Sequence, residues 1–248
     1  MKILNRDTFK SKKYLVFVTT YCGLDYFKNW SRVLRNSDNI QLIGIDSGNQ
    51  EVAKDITDFP IYQTSQNIGC AGCWNFALNL GFNLYGVDKI IIGQDDAMFD
   101  EQIVEHIWNE TNDDWLVGAY DRGFTYSLFG ITKEFWNVVG FFDENFLYGT
   151  YEDNDYIHRI RILGKNWKSL NYSADLNSSL SSRTLGSNIR EINKNYMIEK
   201  WGHFEGVYTN PFNDPTIAAN EGRLHTNLTQ TYGDINTFPS FLEFEKLL

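Results

Sequence analysis

Short apolar runs alternate with stretches of helical periodicity through the first hundred residues, and this alternation limits the possible folds more than any other feature. Tyr14-Leu15-Val16-Phe17-Val18, Leu42-Ile43-Gly44-Ile45, Ile61 to Gln63 and Lys89 to Gly93 read as strands. Continuous apolar runs of this length are typical of strands buried on both faces. Between them, Leu24 to Leu34 reads as a helix with Phe27, Trp30, Val33 and Leu34 on one side. Val52 to Phe59 reads as a shorter helix stopped by Pro60, which cannot continue it. Cys70 to Leu84 reads as a longer one. Strands and helices in this order predict an α/β fold, with a mostly parallel sheet flanked by helices on both faces. Further on, Trp115 to Tyr120 and Tyr126 to Thr132 read as strands, and Lys133 to Val139 and Asp155 to Leu163 as helices.

A chain of 248 residues suits one large domain of this class. The pattern weakens beyond Gly206 into Pro- and Asn-rich sequence. The expected organisation is therefore a domain over 1–205 and an irregular C-terminal extension or lid over 206–248. A net charge of −10, from 22 basic and 32 acidic residues, repels phosphate polymers on average. An anionic nucleotide would then need a bridging cation. Cys22, Cys70 and Cys73 are too few for a disulfide scaffold. Cys70-Ala71-Gly72-Cys73 has C-x-x-C spacing, but an isolated pair reads more simply as small residues packed at a helix start. Met1 to Lys13 is polar, without the apolar stretch of a signal peptide, and no apolar run approaches the ~20 residues of a membrane span. The expectation is a cytoplasmic protein.

Ligands of open α/β sheets bind beyond the carboxyl ends of the strands. Three strands here end in polar residues: Thr19-Thr20-Tyr21, Asp46-Ser47-Gly48 and Gln94-Asp95-Asp96. Asp95 and Asp96 suit a hard divalent cation, Mg²⁺ or Mn²⁺. The simpler alternative is a helix N-cap. In an extended chain the two would point to opposite sides. A second acidic block, Phe141-Phe142-Asp143-Glu144-Asn145-Phe146 followed by Tyr151-Glu152-Asp153-Asn154-Asp155, runs into Arg159 and Gly164. Glu152 and Asp153 are placed just ahead of a helix, where carboxylates are often caps. Asp155 and Arg159 have the spacing of an ion pair, and Gly164 that of a C-cap.

In this order, Asn67-Ile68-Gly69 with Asn75, Gln94-Asp95-Asp96, and Phe142-Asp143-Glu144 with Glu152-Asp153-Asn154-Asp155 and Arg159 resemble the family-2-type glycosyltransferases of the GT-A fold. The resemblance spans roughly residues 14 to 205. It implies an inverting, metal-dependent transfer of a sugar from a nucleotide-sugar donor to an acceptor hydroxyl. Asp96 would be the metal ligand that ends a D-x-D-type motif, with Gln94 in the place of its first Asp and Asp95 between them. Asp46 would contact the base or ribose of the nucleotide, although a turn-forming Asp explains it equally. Thr20, Asn67 and Gly69 would meet the donor, the glycine by close backbone approach. Asn75 could equally be a surface residue. Asp153 would be the general base, with Glu152 as substitute. The histidine that relatives often supply to the metal is missing, which leaves Asp175, His203 and His225 as substitutes. Tyr196-Met197-Ile198-Glu199-Lys200-Trp201-Gly202 resembles a Y-x-x-x-K-W-G stretch of bacterial and phage-type members. Trp201 is either a stacking platform for sugar or base, or a core residue.

Two competing readings remain. A sugar-1-phosphate nucleotidyltransferase would want a Gly-rich basic loop after the first strand, and Thr19-Thr20-Tyr21-Cys22-Gly23 has no such character. A catalytically silent binding module of the same fold is left open by Gln94 and the missing histidine. The acceptor is expected to be a surface glycan or its lipid-linked precursor, or else a hydroxymethylated base in phage DNA. The latter would place the enzyme in the host cytoplasm and draws on Lys165, Lys168, Arg183, Arg190, Lys194 and Lys200 forming one basic face.

Overall fold

A computed structural model describes residues 12–21, 37–48, 59–64, 67–97, 99–119, 126–172 and 187–201. The expected helices at Leu24 to Leu34 and over most of Val52 to Phe59, the extension over 206–248, and Asp175, Arg183, His203 and His225 lie outside these residues.

Seven strands make one sheet: β1 Tyr14–Thr20, β2 Ile40–Asp46, β3 Ile61–Gln63, β4 Lys89–Gln94, β5 Trp115–Ala119, β6 Leu128–Thr132 and β7 Asn166–Leu170. Their order is β3-β2-β1-β4-β6-β5-β7. Pairing is parallel except where β6 runs against β4 and β5, so a single reversed strand interrupts the parallel sheet that the alternation predicts.

Side chains of β1 divide between two cores by strand periodicity. Leu15 and Phe17 join Ile43, Ile45, Ile90 and Ile92 on one face. Tyr14, Val16 and Val18 join Leu42 and Ile91 on the other. The first face is covered by α1 (Gly69–Leu78), α3 (Lys133–Val139) and α4 (Glu152–Ile162), the second by α2 (Glu101–Glu110). Helix α5, Ser187–Trp201, adds a small cluster of Phe146, Met197 and Trp201.

The expected helix from Cys70 to Leu84 is α1 followed by a wider, i→i+5 bonded stretch over Asn79–Leu84. Gly81 lies there against β4, where a Cβ would meet Ile90 Cγ2 at 2.6 Å. Capping follows local chemistry. Asp100 accepts from Ile103 N at 2.9 Å to start α2, and Thr132 accepts from Phe135 N at 3.1 Å to start α3. Glu152 and Asp153 sit in the first turn of α4 rather than ahead of it. Gly164, at φ 68°, ends that helix as its spacing predicts. No helix among the described residues is long and apolar enough to cross a membrane.

Candidate active site

Parallel register brings the three polar strand ends together. Thr20 of β1 lies beside Asp46 of β2, and Thr19 beside Gln94 of β4. An open cleft lies there, lined by Thr20, Ser47, Asn67, Gly69, Gln94, Asp95, Asp96, Cys70 and Tyr148, among others. The chain turns after β4, with Ala97 N donating to Gln94 O at 3.2 Å. Asp95 and Asp96 therefore both line the cleft instead of alternating away from each other.

Thr20 Oγ1 donates to Asp95 Oδ2 at 2.5 Å. Burial pushes the Asp95 carboxyl up to about 7, against the lowering effect of the Thr20 bond, with the charge of Asp96 raising it further. Burial likewise pushes Asp96 up to about 6. Asp96 Oδ1 is buried with no hydrogen-bond partner, a costly arrangement for a carboxylate. An orphaned acidic oxygen in a polar cleft fits a hard divalent cation. Among the described residues no group of three His, Cys, Asp or Glu side chains forms a complete metal site.

Asn67 Oδ1 accepts from Ser47 Oγ at 3.1 Å and from Gly69 N at 2.9 Å, tying β2 to the start of α1. Gly69 has φ 72°, and a Cβ there would stand 2.7 Å from Tyr148 Cα. The close approach expected at this glycine is thus made to the Tyr148 backbone. Asp46 is buried off the cleft with Oδ2 accepting from Gln63 at 2.8 Å, and it is Ser47 that lines the cleft. The Cys70 and Cys73 thiols are both raised by burial, Cys73 to about 12, which disfavours the thiolate that redox or zinc chemistry needs.

The second acidic block folds against the first. Asn75, fully buried rather than on the surface, accepts from Phe142 N at 2.8 Å. It also donates to Phe142 O at 2.9 Å and to Glu144 Oε1 at 2.6 Å. Cys70 N donates to Tyr148 O at 3.1 Å. A Cβ on Gly149 would lie 3.3 Å from Cys70 Sγ and 3.8 Å from Glu152 Oε1. Gly149 thus stands between Cys70, which lines the cleft, and Glu152; neither Glu152 nor Asp153 lines the cleft itself. Glu152 is buried, with Oε2 lacking a partner. Burial raises its carboxyl, and repulsion from Asp153 raises it further. Asp153 is half-buried and is also raised by burial, while its Oδ1 accepts from Asn154 N at 2.8 Å.

Behind the pair, Lys200 donates to Asp143 Oδ2 and to Asp155 Oδ1, each at 2.6 Å. Tyr196 OH donates to Asp143 at 2.7 Å, Trp201 Nε1 to Asp155 at 2.8 Å and Arg159 Nε to Asp155 at 3.0 Å. The expected Asp155–Arg159 pair is therefore present and fully buried. Trp201 has no exposed surface and packs edge-on against His158. It is a core residue, with no face left for a sugar or base to stack on.

Three of the described members of the expected basic face are paired with carboxylates. Lys200 is buried between carboxylates, Lys165 pairs with Asp114, and Lys168 pairs with Glu110. Asn193 was missed in the sequence; it is buried in α5 and bonded to the loop ahead of Glu152. An asparagine in a polar helix gives no signal of such a role.

No described protein family and no curated protein matches the chain. Among solved structures, mannosyltransferase PcManGT from Pyrobaculum calidifontis in complex with GDP-Man and Mn²⁺ superimposes with a TM-score of 0.50 at 14% identity, over 95% of this chain and 80% of that one. GalNAc-T7 with UDP, GalNAc and Mn²⁺ gives 0.50 at 10% identity over 77% of this chain, which spans 48% of that protein. A 4-diphosphocytidyl-2C-methyl-D-erythritol synthase from Anaerococcus prevotii gives 0.47 at 9% identity, over 75% and 99% of the two chains. The fold is of the GT-A type. At these identities the likeness establishes the fold, and chemistry must be argued from the residues.

Proposed function

We propose that the protein is a family-2-type, inverting, metal-dependent glycosyltransferase using a nucleotide-sugar donor. The observation that carries this reading is the cleft at the strand ends: an orphaned Asp96 oxygen after β4 lies in it, and Glu152 stands across Gly149 from Cys70, which lines it. Asp95 and Asp96 would hold Mn²⁺ or Mg²⁺, which when bound offsets charge on the departing nucleoside diphosphate. Thr20, Ser47, Asn67 and Gln94 line the same cleft and present hydroxyl and amide groups to the donor.

Asp153 is the general base in this proposal. Glu152 is the more deeply buried of the two and carries an orphaned oxygen, so a proton held by the pair resides on Glu152. The Asn154 N–H bond favours the ionised form of Asp153. Raised by burial, Asp153 is a better proton acceptor than an ordinary aspartate. It takes the proton from the acceptor hydroxyl as that oxygen attacks the sugar opposite the leaving group, in one in-line displacement. The acceptor proposed is a glycan. Pairing of Lys165, Lys168 and Lys200 with carboxylates removes half of the basic residues that a DNA acceptor would have used.

Screening nucleotide sugars for Mn²⁺-dependent hydrolysis or transfer tests the reading. One donor is expected to turn over, and calorimetry is expected to show nucleoside diphosphate binding that chelator or Asp96→Ala abolishes. Equal affinity with and without chelator would remove the metal. Binding without turnover of any donor would identify a silent module of the same fold.

A further inference from the structure

We propose that Asn193, outside the cleft and on α5, is the positioning residue that sets the direction of the base-bearing turn. The proposal rests on the transferase reading for its kinetic consequence but not for its geometry. Tyr148, Gly149, Thr150 and Tyr151 all have positive φ, at 60°, 151°, 78° and 71°. Three of the four are not glycine. L-residues rarely adopt such a backbone, least of all an aromatic or a β-branched one, and it persists only where surrounding contacts impose it. The run begins at Tyr148, which lines the cleft. It ends at Tyr151, which precedes α4 without any side-chain cap. The direction in which Glu152 and Asp153 leave the loop is therefore set by this run.

Asn193 grips the run from the far side. Its side chain is fully buried. Oδ1 accepts from Leu147 N at 2.9 Å, while Nδ2 faces the carbonyls of Leu147 at 3.0 Å, Gly149 at 2.6 Å and Thr150 at 3.2 Å, with Thr150 Oγ1 also at 3.2 Å. Two amide hydrogens shared among four acceptors hold the run as a unit rather than at one point. Burying an amide is costly unless it is satisfied, and all of these partners belong to the one segment. Met197 and Trp201 already provide α5 with an apolar anchor, so the asparagine is not needed for burial.

The Cys70 thiol lies against the run, next to Gly149, while Cys73 stands one turn further along α1, on the Ser47 side. Labelling with N-ethylmaleimide, read peptide by peptide by mass spectrometry, therefore separates loosening of the loop from unfolding of the domain. In Asn193→Asp, which keeps the shape but loses the donors, Cys70 is expected to react about tenfold faster or more, with Cys73 within about twofold. Turnover is expected to fall about 10²-fold at near-constant donor KM, as for a displaced catalytic group. If the aspartate variant does not fold, Asn193→Ser replaces it. An unchanged Cys70 rate, or equal acceleration of Cys70 and Cys73, overturns the positioning role. If the wild-type protein turns over no nucleotide sugar, the transferase reading fails, and the ratio of labelling rates still decides the role of Asn193.

Discussion

The two halves of the site are built in opposite ways. At the strand ends, Thr20, Gln94, Asp95 and Asp96 stand where parallel register and one turn put them, and no cation among the described residues pairs with their carboxylates. On the loop side, Glu152 and Asp153 leave a strained loop held by a residue more than 40 positions later, and the acids behind them are ion-paired. Polar residues at strand ends come with the sheet, whereas carboxylates aimed from a loop must be held by something else. Gly69 joins the halves, because only a residue without Cβ allows α1 to meet Tyr148.

Four experiments test this contrast, from the largest expected effect to the smallest. Asp153→Asn should leave donor binding intact and slow transfer by ~10²–10⁴-fold, the range for losing a positioned base. If Glu152→Gln is the dead variant and Asp153→Asn is active in steady-state assays, the base is the neighbouring residue. Next, Lys200→Met strips a shared cation from Asp143 and Asp155 and should cost about 3–5 kcal/mol in denaturant unfolding. A loss below about 1 kcal/mol would mean that Tyr196, Arg159 and Trp201 suffice.

The third experiment uses pH, to which the unpaired acids of both halves respond with one sign and the ion-paired Asp155 with the other. Folding raises Asp95 and Asp96 to about 7 and about 6. The native state therefore binds protons that the unfolded chain, with ordinary values near ~3.9, has released. Stability from these groups is present at low pH and is lost as pH rises from about 4 toward 7. Burial favours raising Asp155 too, but Lys200 and Arg159 hold it below the usual range, so its contribution is lost only as pH falls below about 4. In chelator, Tm should decline by a few degrees between about pH 5 and 7.5. Mn²⁺, which requires the ionised acids, should reverse the decline, and Asp96→Asn should lessen it, since Asp95, Glu152 and Asp153 remain. A Tm rising over that interval in chelator would refute the assignment. Smallest is Thr150→Gly, which relaxes φ 78° but gives up a 3.2 Å bond to Asn193. A net gain of about 1 kcal/mol or less is expected in the same unfolding assay. A clear loss would mean that the loop is held by its side chains more than it is strained.

Much of the fold was legible because strand burial writes itself into short apolar runs: β1 to β4 and α3 stand where the pattern puts them. Helix α2 left a weaker mark, an Asp100 cap and a stripe reduced to Val104 and Ile107. Edge strand β7 alternates too little to be seen, and α5 reads as polar because its buried face includes Asn193 and Lys200. Strand-end chemistry at Gln94-Asp95-Asp96 was readable, since local geometry alone delivers it to the cleft.

What the amino-acid order determined by itself was therefore the alternation that makes the sheet, the acids at its carboxyl end, and the i, i+4 pair of Asp155 with Arg159. Each depends on neighbours within a few residues or on a periodic pattern. Only the tertiary structure decided that Asp46 is buried against Gln63 and Trp201 against Asp155, that Asn75 stitches α1 to the Phe142 loop, and that Lys200 is an internal cation. These assignments depend on contacts between residues 17 to 67 positions apart. A side chain's type states what it can bond, while its distant partners decide whether it is left available for a ligand.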